Sequence, residues 1–272
     1  MSLSVEPARF DWYAATVETS PETLTEVAST VLADEAPVLV RGRNSFGHGW
    51  ELRRDGSRAA VVYGGGSSEW PHIEGTGPDA VAVARLLRSR EWPHRVSRAD
   101  VCVDTDTPGA FAVMLDGLRA VKGAATKAHM YLPDDDAHGR TYYVGAKTSE
   151  VQARLYEKGK QLPEAGRPDW VRYEVQIRPQ KDRKAWAAST SASDLLGAAR
   201  WSERFVTEVL GVAASAAPTR SERVSDLEGA IAAMCHQYGN RLLELVESHG
   251  GDVEAFGLEL LARAQNGGKL PA

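Results

Sequence analysis

Two neighbouring segments of the chain carry polar side chains that could act on a phosphodiester, spaced two residues apart. The segments are 151–159 and 170–178, and each alternates polar with apolar residues. Alternate side chains of a strand share one face, so antiparallel pairing of the segments would gather their polar groups. These groups are Arg154, Tyr156, Lys158, Arg172 and Glu174. Because a phenol can hold a phosphoryl group while cations neutralise its charge, the spacing predicts a site for a phosphodiester. A solvated face with charge pairs across strands is the alternative.

Two more carboxylates project from a third segment, 95–106. Polar or thiol side chains lie on one predicted face there, at Arg98, Asp100, Cys102 and Asp104. Carboxylate oxygens suit a hard divalent cation. A carboxylate could equally pair with Arg98, an interaction that contributes little on a surface. The spacing is therefore compatible with a metal ion, with an arginine pair, or with both.

The composition is that of an ordinary soluble globular protein. The chain has 272 residues, of which 43% are hydrophobic and 25% are charged, enough for one large domain or a domain with an appendage. It contains no run of about 18 apolar residues and begins without a secretory pattern, so we expect no membrane span or signal. Cys102 and Cys235 form no CxxC motif, which favours a reduced, cytoplasmic setting without disulfides or a zinc site.

Charge is distributed unevenly along the chain. The overall net charge of −5 argues weakly against a nucleic-acid partner. Between residues 140 and 184, however, eleven lysines and arginines face six acids, a local net charge of +5. Since this basic stretch carries the predicted site, it would attract an anionic substrate. After residue 219, eight acids face five basic residues, which makes that part a poor candidate for binding DNA.

Apolar periodicity predicts the elements that would position these groups. Strands are predicted at 8–18, 46–54, 58–64, 71–74, 95–106, 127–132, 140–146, 151–159 and 170–178. Helices are predicted at about 21–36, 79–90, 109–122 and 182–210, the last interrupted near 189–193. No internal repeat of fixed period stands out. The pattern predicts an α+β fold, a mostly antiparallel sheet with helices packed on one face.

The C-terminal part of the chain is predicted to be separate. The sequence AASAAPT at 213–219 is typical of a linker, and 224–247 and 252–264 are predicted to be helical. We therefore predict a catalytic domain at 1–212, a linker, and a helical C-terminal extension at 220–272.

Three further features are weaker candidates for a site. Gly75 and Gly77, at a strand-to-helix turn, could bring backbone N–H groups to a phosphate, although such a turn more often only reverses the chain. His72 and Glu74 share a strand face, where a structural role is commoner than metal ligation. The acidic residues 134–136 could bind a cation, but acidic hairpin loops are usually just solvated.

Three motifs in fixed order resemble one known family. TYYVGAKTS, RLYEKGKQ and WVRYEVQIR, starting at residues 141, 154 and 170, resemble the replication initiation factor (Rep-trans) family. Its members are rolling-circle plasmid initiators and related relaxases of integrative conjugative elements. PHIEGTG and RADVCVD also resemble that family's pattern, and the resemblance extends from about residue 45 to 210. The chain departs from many relatives in its acidic charge and in having no separate helix-turn-helix, which bears on origin recognition more than on chemistry.

The resemblance implies an enzyme that nicks and joins one DNA strand. The tyrosine of the Arg-x-Tyr-x-Lys pattern is Tyr156, which would stay attached to the 5′ phosphate, with Arg154 and Lys158 neutralising charge. Free tyrosine has a pKa of about 10, so a metal ion or positive charge would have to favour its anion. The implied metal is Mg²⁺ or Mn²⁺, and its implied ligands are Glu174, Asp100 and Asp104. The implied partners are single-stranded or hairpin origin DNA, together with a helicase or transfer machinery.

Two other classes of protein also fit these residues. One is a non-catalytic DNA-binding protein of the same fold. The other is a metal-dependent nuclease in which water attacks and Tyr156 only positions DNA. Covalent capture of DNA would separate the transesterase from both.

Overall fold

The alternating segments of the sequence pair into one ten-stranded antiparallel sheet. The structure, a computed structural model, describes residues 3–90, 92–135, 138–215, 217–218 and 227–265. The chain forms two units, Met1–Pro218 and Thr219–Ala272. The sheet and all predicted site residues lie in the first unit. The assignment of functional domains stays a prediction.

The strands follow the predicted segments closely. They are β1 (Arg9–Val17), β2 (Val38–Arg41), β3 (His48–Arg54), β4 (Ser57–Gly64), β5 (His72–Thr76), β6 (His94–Thr105), β7 (Ala128–Tyr131), β8 (Thr141–Val144), β9 (Val151–Glu157) and β10 (Val171–Ile177). Their order in the sheet is β2-β3-β4-β5-β1-β6-β10-β9-β8-β7. The strands β6, β10 and β9, which carry the predicted site, are therefore direct neighbours.

Helices of the first unit connect and cover these strands. They are α1 (Pro21–Leu32), α2 (Pro78–Ser89), α3 (Ala110–Val121), α4 (Lys158–Gln161), α5 (Arg183–Ser189), α6 (Ala192–Leu196) and α7 (Arg200–Arg204), with a 3-10 turn at Pro163–Ala165 and a π-helical segment at Phe205–Val209. The Ser20 side chain caps α1 by accepting from Thr23 N at 3.1 Å, and Pro21 occupies the first helical position, as the sequence predicts.

The two faces of the sheet differ in chemistry. On the helix face, buried apolar side chains such as Tyr13, Val101 and Val175 pack against the apolar sides of the helices. On the other face, here called the polar face, alternate residues of the same strands include the buried charged groups Asp104 and Glu174. Because the described helices α1 to α3 and α5 to α7 pack on the apolar helix face, the predicted α+β fold with helices on one face is confirmed.

The two halves of the sheet repeat the same succession of elements. In each half a long strand and a helix are followed by four strands that pair with their chain neighbours, and the last of these pairs back onto the first. The two successions are β1-α1-β2-β3-β4-β5 and β6-α3-β7-β8-β9-β10, and the second half has α4 and a 3-10 turn inserted between β9 and β10. The registers correspond as well. Tyr63 lies opposite His72 in β4–β5 as Tyr156 lies opposite Arg172 in β9–β10. The repeat has no fixed period in the sequence because the loops of the two halves differ in length.

The structure differs from the predicted elements in three places. The strand predicted at 151–159 ends at Glu157, and α4 follows. The chain turns there because Gly159 lies so close to the carbonyl oxygen of Arg167 that a Cβ would not fit. The helix predicted at 182–210 is interrupted between Ser189 and Ala192, near the predicted position, and again after Leu196, so it forms α5, α6 and α7 followed by the π-helical segment. The edge strand β2 was not predicted, since its valine and leucine side chains are mostly exposed.

The second unit contains two helices within its described residues. They are α8 (Leu227–Ser248) and α9 (Val253–Gln265), and they are separated by Gly250 and Gly251, both with positive φ. Glu259 accepts from His249 Nε2 at 2.8 Å and pairs with Arg263. No helix in the described parts of the chain is long and apolar enough to cross a membrane.

Candidate active site

A tyrosine and a glutamate on adjacent strands form the centre of the polar face. The Tyr156 hydroxyl, on β9, donates a hydrogen bond to Oε2 of Glu174, on β10, at 3.0 Å. Arg154 lies directly opposite Glu174 in the register and forms an ion pair with Glu174 Oε1. Antiparallel pairing of the two segments therefore brings together three of the groups that the sequence predicts.

The environment of Tyr156 keeps its phenol protonated in the free protein. Its side chain is only 6% exposed. Burial raises the pKa of Tyr156, and the Glu174 charge raises it further, although Arg172 and Arg154 act in the opposite direction. The sequence indicates that a metal ion or positive charge would have to favour the phenolate, and the two arginines alone do not outweigh burial and Glu174. Here the proton is instead held between the phenol and a carboxylate that can accept it.

Glu174 is a stronger base than an exposed glutamate. Burial raises the pKa of Glu174; Arg154 lowers it, and the like charges of Asp100 and Asp11 raise it again, leaving a net upward shift. Arg154 also lies 3.7 Å from Asp100 Oδ2, so one guanidinium joins both carboxylates. A carboxylate with a raised pKa, within 3.0 Å of a phenol, has the position and basicity required of a general base.

Asp104 belongs to a second group of charges. It lies on β6 opposite Arg172, which is two residues before Glu174 on β10. Arg172 donates to both carboxylate oxygens of Asp104, at 2.8 and 3.0 Å, and Arg9 also pairs with it. Arg172 additionally bonds Asp11 at 2.9 Å. Burial raises the pKa of Asp104, but the hydrogen bonds and charge of Arg172 outweigh burial and lower it overall. Asp104 is therefore held as an anion between two arginines.

Lys158 reaches the site from α4 rather than from the strand. Its Nζ lies 5.6 Å from the ring centre of Tyr156 and 5.9 Å from that of Trp170. Trp170 also has the Arg172 and Arg167 guanidinium groups at 5.4 and 4.3 Å from its ring centre. The edge of the Tyr156 site is thus lined with cations and an indole, a combination suited to a nucleic acid.

The residues present provide two carboxylates for a metal ion rather than a closed set of three. Among the described residues, no group of three or more His, Cys, Asp or Glu side chains is arranged to hold a metal. Magnesium, however, is commonly bound by one or two carboxylates together with substrate phosphates. Glu174 and Asp100 would be the carboxylates of that arrangement, in which a metal ion would replace Arg154 and Arg98 as their partners. The assignment of Glu174, Asp100 and Asp104 as ligands stays a prediction.

The weaker sequence candidates are placed outside the Tyr156 site. His72 and Glu74 lie on β5, where Glu74 pairs with Arg43. Gly75 packs closely against the backbone of Asp79, which accounts for a glycine at that turn. Of the predicted acidic loop, Asp136 lies outside the described residues.

Asp11 is a participant that sequence reasoning missed. It sits where the β1–β6 register shifts between Phe10 and Trp12, a β-bulge that breaks the period-two pattern. The bulge lets Asp11 reach Arg172 on β10, two strands away. One signal was available, because Arg9-Phe10-Asp11 repeats the Arg-x-Asp spacing of Arg98 and Asp100.

Comparisons with known proteins agree with this architecture. The family model for replication initiation factors (Rep_trans) matches residues 119–223, a range that includes Tyr156 and Glu174. No curated protein sequence matches the chain. Among solved structures, the rolling circle replication initiator protein from Geobacillus stearothermophilus is similar with a TM-score of 0.57 and 18% identity, over 77% of this chain and 98% of that one. The resemblance to the replication initiation factor family is thereby confirmed over residues 119–223, and the fold is similar to that of a rolling-circle replication initiator.

Proposed function

We propose that this protein initiates rolling-circle replication or transfer by nicking and rejoining one DNA strand through Tyr156. The observation that carries the proposal is the 3.0 Å hydrogen bond from the Tyr156 hydroxyl to Glu174, on a face that also carries Arg154 and Arg172. The family match over residues 119–223 supports it. The substrate class is single-stranded DNA, whose phosphates are attracted to the local excess of positive charge.

The chemical step uses the tyrosine as nucleophile and the glutamate as base. The phenol O–H bond breaks and the proton passes to Glu174 Oε2. A bond forms between the phenol oxygen and phosphorus, while the bond from phosphorus to the 3′ oxygen breaks. The 3′ oxygen leaves as a hydroxyl, with a proton from solvent water. The 5′ phosphate stays on Tyr156 as a phosphodiester, so the reverse reaction can rejoin the strand.

The cations around the site act on the phosphate charge. Arg154 is one-third exposed and can exchange its carboxylate partners for a phosphate oxygen. Lys158 and Arg172 flank the phenol and stabilise negative charge as it develops. When a divalent ion is bound, Glu174 and Asp100 would hold it, and it would polarise a phosphate oxygen.

The test is covalent capture of DNA. Wild type and Tyr156→Phe are incubated with Mn²⁺ and labelled single-stranded oligonucleotides that tile the DNA flanking the coding gene, and the products are separated on a denaturing gel. We expect a shifted protein–DNA band and a nicked product with wild type and neither with Tyr156→Phe, while DNA binding persists. Tyr143→Phe is the matched control, because Tyr143 lies on the same face, one strand away, opposite Arg154.

Other outcomes of this experiment would overturn the proposal. An adduct that persists in Tyr156→Phe would move the nucleophile elsewhere, with Tyr63, Tyr131 and Tyr143 as the other tyrosines on the polar face of the described strands. Cleavage by wild type without any adduct would favour a nuclease in which water attacks. Binding without cleavage or adduct would favour a non-catalytic DNA-binding protein.

A further inference from the structure

The repeat in the sheet places a second tyrosine, glutamate and arginine at the position equivalent to the Tyr156 site. Tyr63 lies opposite His72 across β4–β5, and Glu74 follows on the same face of β5. Arg43, from the loop before β3, forms an ion pair with Glu74, as Arg154 does with Glu174. We call Arg43, Phe46, Tyr63, His72 and Glu74 the upstream cluster. The similarity of position shows that both halves of the sheet present such a group on one face.

The upstream cluster is arranged for stacking rather than for proton transfer. The Arg43 guanidinium lies 4.6 Å from the ring centre of Tyr63, and the Phe46 ring stacks on His72 at 5.8 Å and 28°. Burial lowers the pKa of His72 to about 4, with Arg43 contributing, so its ring is uncharged at neutral pH. Arg43 remains 47% exposed. In proteins that bind single-stranded nucleic acids, planar side chains stack on bases and accessible cations bind the phosphates.

Two loops hold Arg43 and Phe46 in fixed positions over the sheet. A Cβ on Gly42 would collide with the carbonyl oxygen of Phe46, and one on Gly66 with that of Ser45. The loops are also joined by backbone hydrogen bonds, including Ser67 N to Ser45 O at 3.0 Å. The stacking groups are therefore organised in advance, which reduces the entropy lost when a ligand binds.

A further stacked pair lies between the upstream cluster and the Tyr156 site. Arg98 lies 4.1 Å from the ring centre of Trp12, on the central strands β1 and β6. Trp12 Nε1 is buried and has no acceptor within the described part of the chain. Glu74 on β5 and Glu174 on β10 are three strand spacings apart, about 14 Å. Trp12 and Arg98 thus lie on the path across the polar face from one cluster to the other.

We propose that the upstream cluster and the Trp12–Arg98 pair form a second binding site for single-stranded DNA, which holds nucleotides flanking those at Tyr156. The proposal rests on the proposed function, since it takes DNA to be the ligand of the polar face. In it, bases stack on Phe46 and Trp12. Arg43 and Arg98, which pair with Glu74 and Asp100 in the free protein, exchange these carboxylates for phosphates. The role of this site is to bind and orient the strand, and it makes no covalent bond.

The test measures binding without cleavage. In a Tyr156→Phe background and without metal, fluorescein-labelled dT20 is titrated and followed by anisotropy. Phe46→Leu, which keeps apolar packing but removes the ring, and Arg43→Gln should each weaken binding by about 5-fold or more, the lower end for loss of one stacked base. Arg204→Gln is the control, because Arg204 lies exposed on α7 in the helix layer and its loss should leave dT20 binding unchanged. Thermal unfolding of each variant checks that the fold is kept.

Photocrosslinking gives a second, independent readout. With one thymidine of dT20 replaced by 5-iododeoxyuridine, we expect crosslinked peptides that contain Phe46, Tyr63 or Trp12. Crosslinks confined to helix-layer aromatics such as Trp186, or dT20 binding unchanged in both variants, would overturn the inference. Loss of dT20 binding in these variants would support the second site even if wild type forms no adduct. If wild type forms the adduct but dT20 binding is unchanged in both variants, the proposed nicking activity stands and the second binding site is excluded.

Discussion

The Tyr156 hydroxyl on β9 donates a 3.0 Å hydrogen bond to Glu174 on the neighbouring antiparallel strand β10. Both strands lie in the interior of the ten-stranded sheet. Both side chains are buried, so the proposed nucleophile and base are positioned by backbone pairing rather than by a flexible loop. The same burial raises the pKa of both groups. In the proposed mechanism, proton transfer between them therefore accompanies attack on the phosphate, because a free phenolate is unfavourable at this position.

The pH dependence of nicking should follow Glu174. The base acts only when deprotonated, and its pKa lies above the usual value, so the rate should rise with pH over a range above that of an ordinary glutamate. Arg154 lowers the pKa of Glu174. Arg154→Gln should therefore move this rise to higher pH, as measured by single-turnover nicking. Arg204→Gln should leave the midpoint where it is, and an unmoved midpoint in Arg154→Gln would remove Glu174 as the base.

Asp104 should matter chiefly for stability. Its side chain is fully buried between Arg172 and Arg9, so Asp104→Asn should lower the free energy of unfolding by about 3–5 kcal/mol, the usual cost of breaking a buried ion pair. Urea unfolding at pH 7 measures this. Glu208→Gln, in an exposed pair with Arg204, is the matched control and should change stability little.

The pH profile of stability gives the sign of the Asp104 contribution. The pKa of Asp104 is lowered in the folded protein, so its contribution is present above the unfolded value of about 3.9 and is lost as the pH falls through the lower folded value. The stability difference between wild type and Asp104→Asn should accordingly shrink below about pH 4. A difference that is equal at pH 7 and pH 3 would contradict the role of charge.

Tyr173 should prove structural. Its hydroxyl is buried on the helix face and bonds Ser202 Oγ at 2.6 Å, away from the polar face. Tyr173→Phe should lower the free energy of unfolding by about 1 kcal/mol, the typical value of a buried hydrogen bond, and should keep the covalent adduct. Loss of the adduct in a variant that unfolds like wild type would show that Tyr173 takes part in chemistry.

The second unit should be dispensable for cutting. The first unit ends at Pro218 and contains all the residues assigned to the site. A chain truncated after Pro218 should therefore fold and retain single-strand nicking, because its core is complete. The gel assay for the adduct, with circular dichroism to confirm folding, measures this. A folded but inactive product would show that α8 and α9 belong to the active unit.

Much of the fold is predictable from sequence because local signals are strong. The hairpin of β3 and β4 turns at Asp55 and Gly56, both with positive φ, at the position that the Asp-Gly pair predicts. The edge strand β2 is short and exposed, so neither burial nor alternation marks it. The break at Lys158 depends on how closely Gly159 approaches the backbone of Arg167, a tertiary contact that periodicity does not report.

The site is predictable only where strand register determines it. Tyr156, Arg154 and Glu174 could be brought together on paper because β9 and β10 are consecutive strands that alternate regularly. Asp11 and the upstream cluster could not, since Asp11 depends on a bulge and Arg43 on a loop. The raised pKa of Tyr156 also escaped prediction, because sequence does not show how deeply a polar strand residue is buried.

The central position of β1 and β6 has a consequence for the order of folding. The four strands β2 to β5, and likewise β7 to β10, form by hairpins between chain neighbours, which close quickly. The pairings of β1 with β5, β1 with β6 and β6 with β10 join distant segments and close long loops. Tyr156 and Glu174 therefore meet within one local hairpin. We expect Asp100 and Asp104 to reach them only when β6 docks, so that Tyr156 and Glu174 pair before the charges that surround them are in place.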